Sequence, residues 1–167
     1  MATTPAGRML SRQLQQMQAD NTHGISCGLV DSNVFEWEVM LMISDDVKLY
    51  GGGFFRARLS FPLEYPHMPP KMKFEPSLFH PNIYPSGEVC ISILHPPEED
   101  KYGYESASER WSPVQTPETI LLSVISMLSS PNDESPANVE AARLWREDPK
   151  EFKKQVRKCV RESLGDE

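Results

Sequence analysis

Apolar residues recur along this chain at two periods, and the switch between them divides it. Leu10, Leu14 and Met17 stand at helical spacing. Thr4-Pro5 reads as an N-cap with proline at the first helical position, and His23-Gly24 as the stop. The apolar set then repeats at every second residue, as in half-buried strands. Ile25, Cys27 and Leu29 form the first such set. Phe35, Trp37, Val39, Leu41 and Ile43 form the second, with Glu36 and Glu38 on the opposite phase. Phe55, Ala57, Leu59 and Phe61 alternate with Arg56, Arg58 and Ser60. Met72 and Phe74, flanked by Lys71, Lys73 and Glu75, give a short fourth strand. Asp31-Ser32-Asn33, Gly51-Gly52-Gly53 and a proline cluster connect these runs, so an antiparallel meander is the simplest topology.

The second half returns to the helical period. Thr116-Pro117-Glu118 supplies a cap, a proline and an acid that suits the helix dipole. Ile120, Leu121, Val124, Ile125 and Leu128 follow as a wide apolar stripe. Ser135-Pro136 predicts a second helix running through Trp145. Asp148-Pro149-Lys150-Glu151 predicts a third, with Glu151 placed to close a capping box. Phe152, Val156, Cys159, Val160 and Leu164 line one face of it. The predicted class is α+β: an N-terminal helix, a four-stranded antiparallel meander, a long loop and C-terminal helices on one face of the sheet. Residues 76–117 follow neither period. A loop of that length inside a compact domain is usually functional or disordered, so the chemistry is sought there.

Composition narrows the class of function. The 167 residues suit one domain, and a net charge of -7 argues against general nucleic-acid binding, which needs a basic face. No apolar run approaches the ~18 residues of a membrane span, and the N-terminus lacks the apolar core of a secretory signal. Direct membrane insertion is therefore not expected; service at a membrane would require a partner. Three widely spaced cysteines without a CxxC pair make a poor disulfide framework and give no zinc spacing, which favours a reducing compartment and no metal.

Cys27 and Cys159 fall on apolar phases, where a cysteine is usually a small buried hydrophobe. Cys90 differs. It lies in HPNIYPSGEVCISIL, where Pro81, Pro85 and Gly87 hold the chain by turns. A loop cysteine can still be structural, but Asn82 nearby offers a neutral amide donor of the kind that suits an oxyanion. The same asparagine could instead bond nearby backbone, and the two uses are compatible. His80 could serve as a base or brace the loop; bracing is favoured because a base needs freedom and placement that a His-Pro-Asn turn does not advertise. No Lys or Arg adjoins Cys90 to depress its thiol pKa strongly. A thiol that receives an already activated acyl group fits better than one that must attack an amide.

These stretches also resemble one family. FPLEYPHMPPK over 61–71, His80-Pro81-Asn82, Gly87-Glu88-Val89-Cys90-Ile91, Trp111-Ser112-Pro113 and Pro131-Asn132 are similar, in order, to signatures of ubiquitin-conjugating (E2) enzymes. The resemblance spans nearly the whole chain and implies one ubiquitin-conjugating core domain over 1–167. It implies that Cys90 carries ubiquitin as a thioester, Asn82 stabilises the oxyanion and His80 supports their loop. His67, Ser112 and Pro113 fall where relatives meet RING-type E3 ligases. Arg8 and Arg12 fall where relatives meet the E1 enzyme, which consumes the ATP, so no cofactor is expected here. Many relatives carry two adjacent basic residues there, whereas this chain has Arg8-Met9.

A second departure is an acidic insertion at about 96–110, HPPEEDKYGYESASER being longer than the connection of minimal relatives. Its charges read either as a solvated loop or as a means of orienting an incoming ammonium. The insertion resembles the subgroup serving ER-associated degradation. That implies Lys48-linked chains, a membrane-anchored adaptor and a cytoplasmic protein recruited to the cytosolic face of the endoplasmic reticulum. Relatives carry an acid before the third helix where Ser135 falls here, beside Asp133 and Glu134, which makes His95 and Asp100 candidates for that gate. Three rival readings are weaker. A dead E2-like binding module would lack Cys90; a cysteine hydrolase would need an orienting partner for His95; a metal site from His80, Cys90 and His95 has no ligand spacing. Conjugation of a ubiquitin-like modifier is a closer competitor, opposed by the acidic insertion.

Overall fold

The computed structural model describes residues 4–20, 24–96 and 110–165. Helix α1 (Pro5–Ala19) starts where Thr4 Oγ1 accepts from the Gly7 amide at 3.0 Å, and Ala6, Leu10, Leu14 and Met17 form its buried stripe. That stripe packs on β1 (Ile25–Val30) and β2 (Asn33–Met42). With β3 (Phe54–Ser60) and β4 (Lys71–Phe74) these form an antiparallel sheet in the order β1-β2-β3-β4, the meander expected from the turn residues. Asp31 and Ser32 both have positive φ (51° and 60°), the backbone of a tight two-residue hairpin turn.

Register explains which face is buried. Trp37 opposes Leu59, which opposes Met72, and Val39 opposes Ala57, which opposes Phe74; all six are buried. On the other face Glu38, Arg58 and Lys73 share a row, and Met42 pairs with Phe54, both exposed. Leu29 departs from its alternation. It is exposed because β1 is an edge strand whose register shifts at Leu29/Val30 as it enters the turn.

Helix α2 (Pro117–Ser129) is capped by Thr116 and Thr119 reciprocally, and buries Ile120, Leu121, Val124, Met127 and Leu128. Helix α3 (Val139–Glu147) begins later than Ser135-Pro136 suggested, at the Asn138 cap. The cause is local: the Ala137 and Asn138 amides donate to the Pro81 carbonyl at 2.8 and 3.0 Å, so these residues tether the loop instead of opening a helix. Helix α4 (Pro149–Ser163) starts on Asp148, which accepts from the Glu151 amide at 3.2 Å. The Glu151 carboxylate accepts from Gln155 at 3.0 Å within the helix, and Leu164, expected on its apolar face, is an exposed C-cap. None of the described helices is long and apolar enough to cross a membrane.

The aperiodic segment folds back on the sheet edge. The Phe74 amide donates to the Gly87 carbonyl at 2.8 Å and the Val89 amide to Met72 at 2.9 Å, while Ile83 bridges Val89. A short 3₁₀ turn (Ser92–Leu94) follows, and the Trp111 amide donates to the His95 carbonyl at 3.1 Å. That bond closes the neck of the insertion. Of the expected 96–110 loop only Pro96 and Arg110 are described, so Asp100 lies outside the described residues.

Gly87 makes the backbone fit under this segment testable. Its φ is +101°, and an added Cβ would meet the Phe74 carbonyl oxygen at 2.2 Å, whereas at Gly28 it would meet nothing within 4 Å. Gly87→Ala should cost at least ~2 kcal/mol in denaturant unfolding, through strained backbone and a steric conflict. Gly28→Ala should move stability by less than ~1 kcal/mol.

Candidate active site

Burial alone does not separate the three cysteines, since all are half-buried and none is in a disulfide. Their surroundings do. Cys27 packs at the edge of the core, and burial pushes its thiol up to about 11. Burial also raises the thiol of Cys159. Both therefore stay protonated near neutrality. Cys159 borders a smaller pocket of about 280 Å³, whereas Cys90 opens into a cleft of about 560 Å³ lined by Tyr84, Glu88, Leu94, His95, Glu64 and Lys71 among others.

Asn82 sets the position of Cys90. Its carbonyl accepts from the Cys90 amide at 2.8 Å, and its own amide donates to His80 Nδ1 at 2.9 Å. Its side chain pairs reciprocally with the backbone of one residue 50 positions away: Nδ2 donates to the Asn132 carbonyl at 2.8 Å, and Oδ1 accepts from the Asn132 amide at 2.9 Å. The bond partner is thus distant backbone, which sequence reasoning had sought close by. Asn132 Oδ1 accepts from the Glu134 amide at 3.0 Å, and Asp133 faces Arg146 at 3.7 Å, so the segment that grips Asn82 is itself held.

His80 is fully buried. With Nδ1 accepting from Asn82, Nε2 carries the hydrogen and donates to the Met127 carbonyl at 2.9 Å, in the last turn of α2. Burial lowers its pKa to about 4, against a smaller opposing pull from the Met127 carbonyl. A neutral ring with both nitrogens committed has no route to accept a substrate proton.

His95 lies at the cleft, its Nε2 3.7 Å from the Cys90 sulfur. Tyr84 was not singled out by sequence, yet it lines the same cleft as Cys90, and the Cys90 charge is the chief cause raising the Tyr84 pKa. Its position was legible in principle. Ile83 is buried and bridges Val89, so the next residue in an extended pairing points the other way.

Other expected residues gather at a separate place. The buried Trp111 donates from Nε1 to the Pro66 carbonyl at 2.8 Å, joining the 62–68 and 111–115 loops. His67 and Pro113 are exposed there and Ser112 is half-buried, beside Leu63 and Val114 at 74% and 82% exposure, which the sequence reading missed. Tyr65 packs on Trp111 and donates to Gln13 of α1 at 2.8 Å, bringing that helix to the same region. Arg8 and Arg12 are exposed on α1, whereas Met9 packs against the core.

An α+β domain that clamps an amide beside a cleft cysteine fits a protein that holds an acyl group on sulfur. Residues 9–160 match the family model described as ubiquitin-conjugating enzyme. The chain is 61% identical to "Ubiquitin-conjugating enzyme E2 15" of Schizosaccharomyces pombe over 165 residues, covering 98% of each. It is 58% identical to "Ubiquitin-conjugating enzyme E2 13" of Arabidopsis thaliana over 93% of each chain, and 51% identical to human "Ubiquitin-conjugating enzyme E2 G2" over 99% of each. The chain belongs to the ubiquitin-conjugating enzyme family, and so is an E2 enzyme that works through a cysteine thioester.

The His80 environment predicts a pH dependence. Its folded pKa (about 4) lies below the ordinary 6.5, so the unfolded chain binds more protons between those values. Its contribution, about 3 kcal/mol, is fully present above pH 6.5 and is lost as pH falls towards 4. The unfolding free energy of the wild type should fall more steeply from pH 6.5 to 5 than that of His80→Gln, by up to ~1.4 kcal/mol per pH unit. Parallel slopes would contradict this assignment.

Proposed function

We propose that Cys90 accepts ubiquitin from E1 as a glycyl thioester and, with a RING-type E3, passes it to lysine amines of substrates or of ubiquitin. The observation that carries this reading is Cys90 itself: a thiol open to a cleft, on a backbone fixed by Asn82. Asn82 supplies the oxyanion donor. One of its two Nδ2 hydrogens is engaged by Asn132, which orients the amide, and the other serves the tetrahedral intermediate. His80 supports both residues from the interior. His95 and Asp100 orient or gate the incoming lysine, a role supported for His95 by its approach to the Cys90 sulfur. Desolvation in the cleft must accompany any negative charge there, since charge alone would raise the lysine pKa.

His67, Ser112 and Pro113 form the ligase contact together with Leu63 and Val114, whose exposed apolar side chains suit a docking surface. Arg8 and Arg12 contact E1. The acidic insertion supports Lys48-linked chain formation in ER-associated degradation. The enzyme then acts from the cytoplasm at the cytosolic face of the endoplasmic reticulum, recruited by a membrane-anchored adaptor. Ubiquitin, E1, E3 and that adaptor are its partners, with no nucleic acid and no bound cofactor.

Incubation with E1, ATP and ubiquitin, followed by a non-reducing gel, tests the assignment. An adduct removed by thiol reductant is expected; Cys90→Ser should convert it to a reductant-resistant ester and Cys90→Ala should abolish it. An adduct persisting in Cys90→Ala would move the thioester to another cysteine. Asn82→Ser should still charge but discharge to lysine roughly 10²-fold more slowly. Leu63→Asp should leave charging and unassisted discharge intact while removing stimulation by a cognate RING ligase; retained stimulation would place the ligase elsewhere.

A further inference from the structure

We propose that the outer face of α4 is a docking surface for anionic phospholipid headgroups, which holds the domain against a membrane by charge. Lys150, Lys153, Lys154, Arg157, Lys158 and Arg161 are all exposed on this helix. At 3.6 residues per turn they occupy one arc of about 140°, opposite the face that buries Phe152 and Val156. No acid interleaves. Glu151 and Glu162, the acids of the helix, fall on its flank.

The other surface helix of this half is built differently. On α3, Arg143 pairs with Glu140 at 2.6 Å and with Glu147 at 3.5 Å, and Arg146 faces Asp133 at 3.7 Å. On α4 only Lys158 has an ion pair among the described residues, with Glu162 at 3.9 Å. Lys150 and Lys154, Lys153 and Arg157, Lys154 and Lys158, and Arg157 and Arg161 stand four residues apart, where like charges repel and destabilise a helix. Packing of Phe152 against Phe79 and Trp145, at ring-centroid distances of 5.8 and 5.2 Å, holds the helix in spite of this. A surface of opposite charge relieves the repulsion.

The form of the face selects the occupant. The outer side of a helix is a convex ridge, here about 16 Å from Lys150 to Arg161, with no groove to seat a peptide. No aromatic side chain stands among the cations to stack on bases. Lysines outnumber arginines, and a lysine is a point charge that suits a diffuse anionic layer, whereas a defined phosphate site favours the arginine fork. The contact is not insertion, because none of the described helices can cross a membrane and the apolar side of α4 belongs to the core. The chain carries a net charge of -7, but screening over about 8 Å at physiological salt confines the membrane's field to the face nearest it. No residue of α4 lines the Cys90 cleft, so docking leaves that cleft open.

Cosedimentation with vesicles of phosphatidylcholine, alone or mixed with phosphatidylserine, tests this. The wild type should bind only the mixed vesicles and be released as salt rises to about 0.5 M. Lys154→Gln/Arg157→Gln should bind roughly 10-fold or more weakly. Its melting temperature at low salt should be no lower than that of the wild type, since each repelling pair loses a charge. Arg56→Gln/Lys73→Gln removes as much charge from exposed positions on the outer face of the sheet and should bind like the wild type. Equal weakening in both variants would reduce the effect to net charge and overturn the proposal, as would an unchanged affinity in the α4 variant. A lower melting temperature in that variant would contradict the repulsion from which docking is inferred. Capture by polyglutamate or by a DNA duplex in place of vesicles would assign the ridge to another acidic partner and likewise overturn it.

Discussion

One buried imidazole joins the parts of this domain that the reaction needs together. His80 receives the Asn82 amide on one nitrogen and gives the other to Met127, near the C-terminal end of α2. The Met127 carbonyl also accepts from the Ser130 amide at the C-cap of α2 at 3.1 Å, so the imidazole is its second donor and anchors the active-site turn to the end of that helix. The tyrosine ring of Tyr50 lies 5.7 Å from the imidazole, and its hydroxyl donates to the neighbouring Phe79 carbonyl. Protonating His80 would bury a charge and remove the acceptor for Asn82, which is why the ring stays neutral. The site is therefore built on a group that takes no part in proton transfer.

From this anchor the geometry passes outward by backbone. Asn82 fixes Cys90 through its carbonyl and grips Asn132 through its side chain, while Pro81 receives two amides that precede α3. Three pieces of irregular chain thus acquire the rigidity that strands and helices obtain from regular ladders. Such rigidity matters for a thioester enzyme. The activated acyl group needs no strong base, only a sulfur, an amine and an oxyanion donor held in register. The neck bond between His95 and Trp111 extends the scheme, closing the base of the insertion beside the cleft while Trp111 also ties down the loops bearing Leu63 and Val114. The cleft and the apolar loop surface consequently share one structural support.

Much of this was legible in the sequence. Period-two runs such as Phe35 to Ile43 gave the strands, because one face is buried and the other solvated. Thr4-Pro5 and Thr116-Pro117 gave helix starts, because caps act through the nearest few residues. The failures share a cause. Ser135-Pro136 resembles a start signal, but the amides of Ala137 and Asn138 are taken by Pro81, a partner no local pattern reveals. Leu29 alternates correctly yet sits at a register shift near the end of an edge strand, and Leu164 lies just beyond the last turn of α4. Within the site, Cys90, Asn82 and His80 stood out because turns isolated them. Tyr84 did not, since only the folded turn brings it to the cleft of Cys90, and Asn82 found its partner far along the chain.

Amide hydrogen exchange under native conditions tests the central claim, that the chain around Cys90 is a rigid part of the fold in spite of its irregular backbone. The amides of Asn82, Cys90 and Asn132 should be protected to a degree comparable with Val39 and Ala57 in the centre of the sheet. Exchange of these three near the rate of an unstructured chain, with the strand amides still protected, would contradict it: the cysteine would then sit on a loop that opens independently.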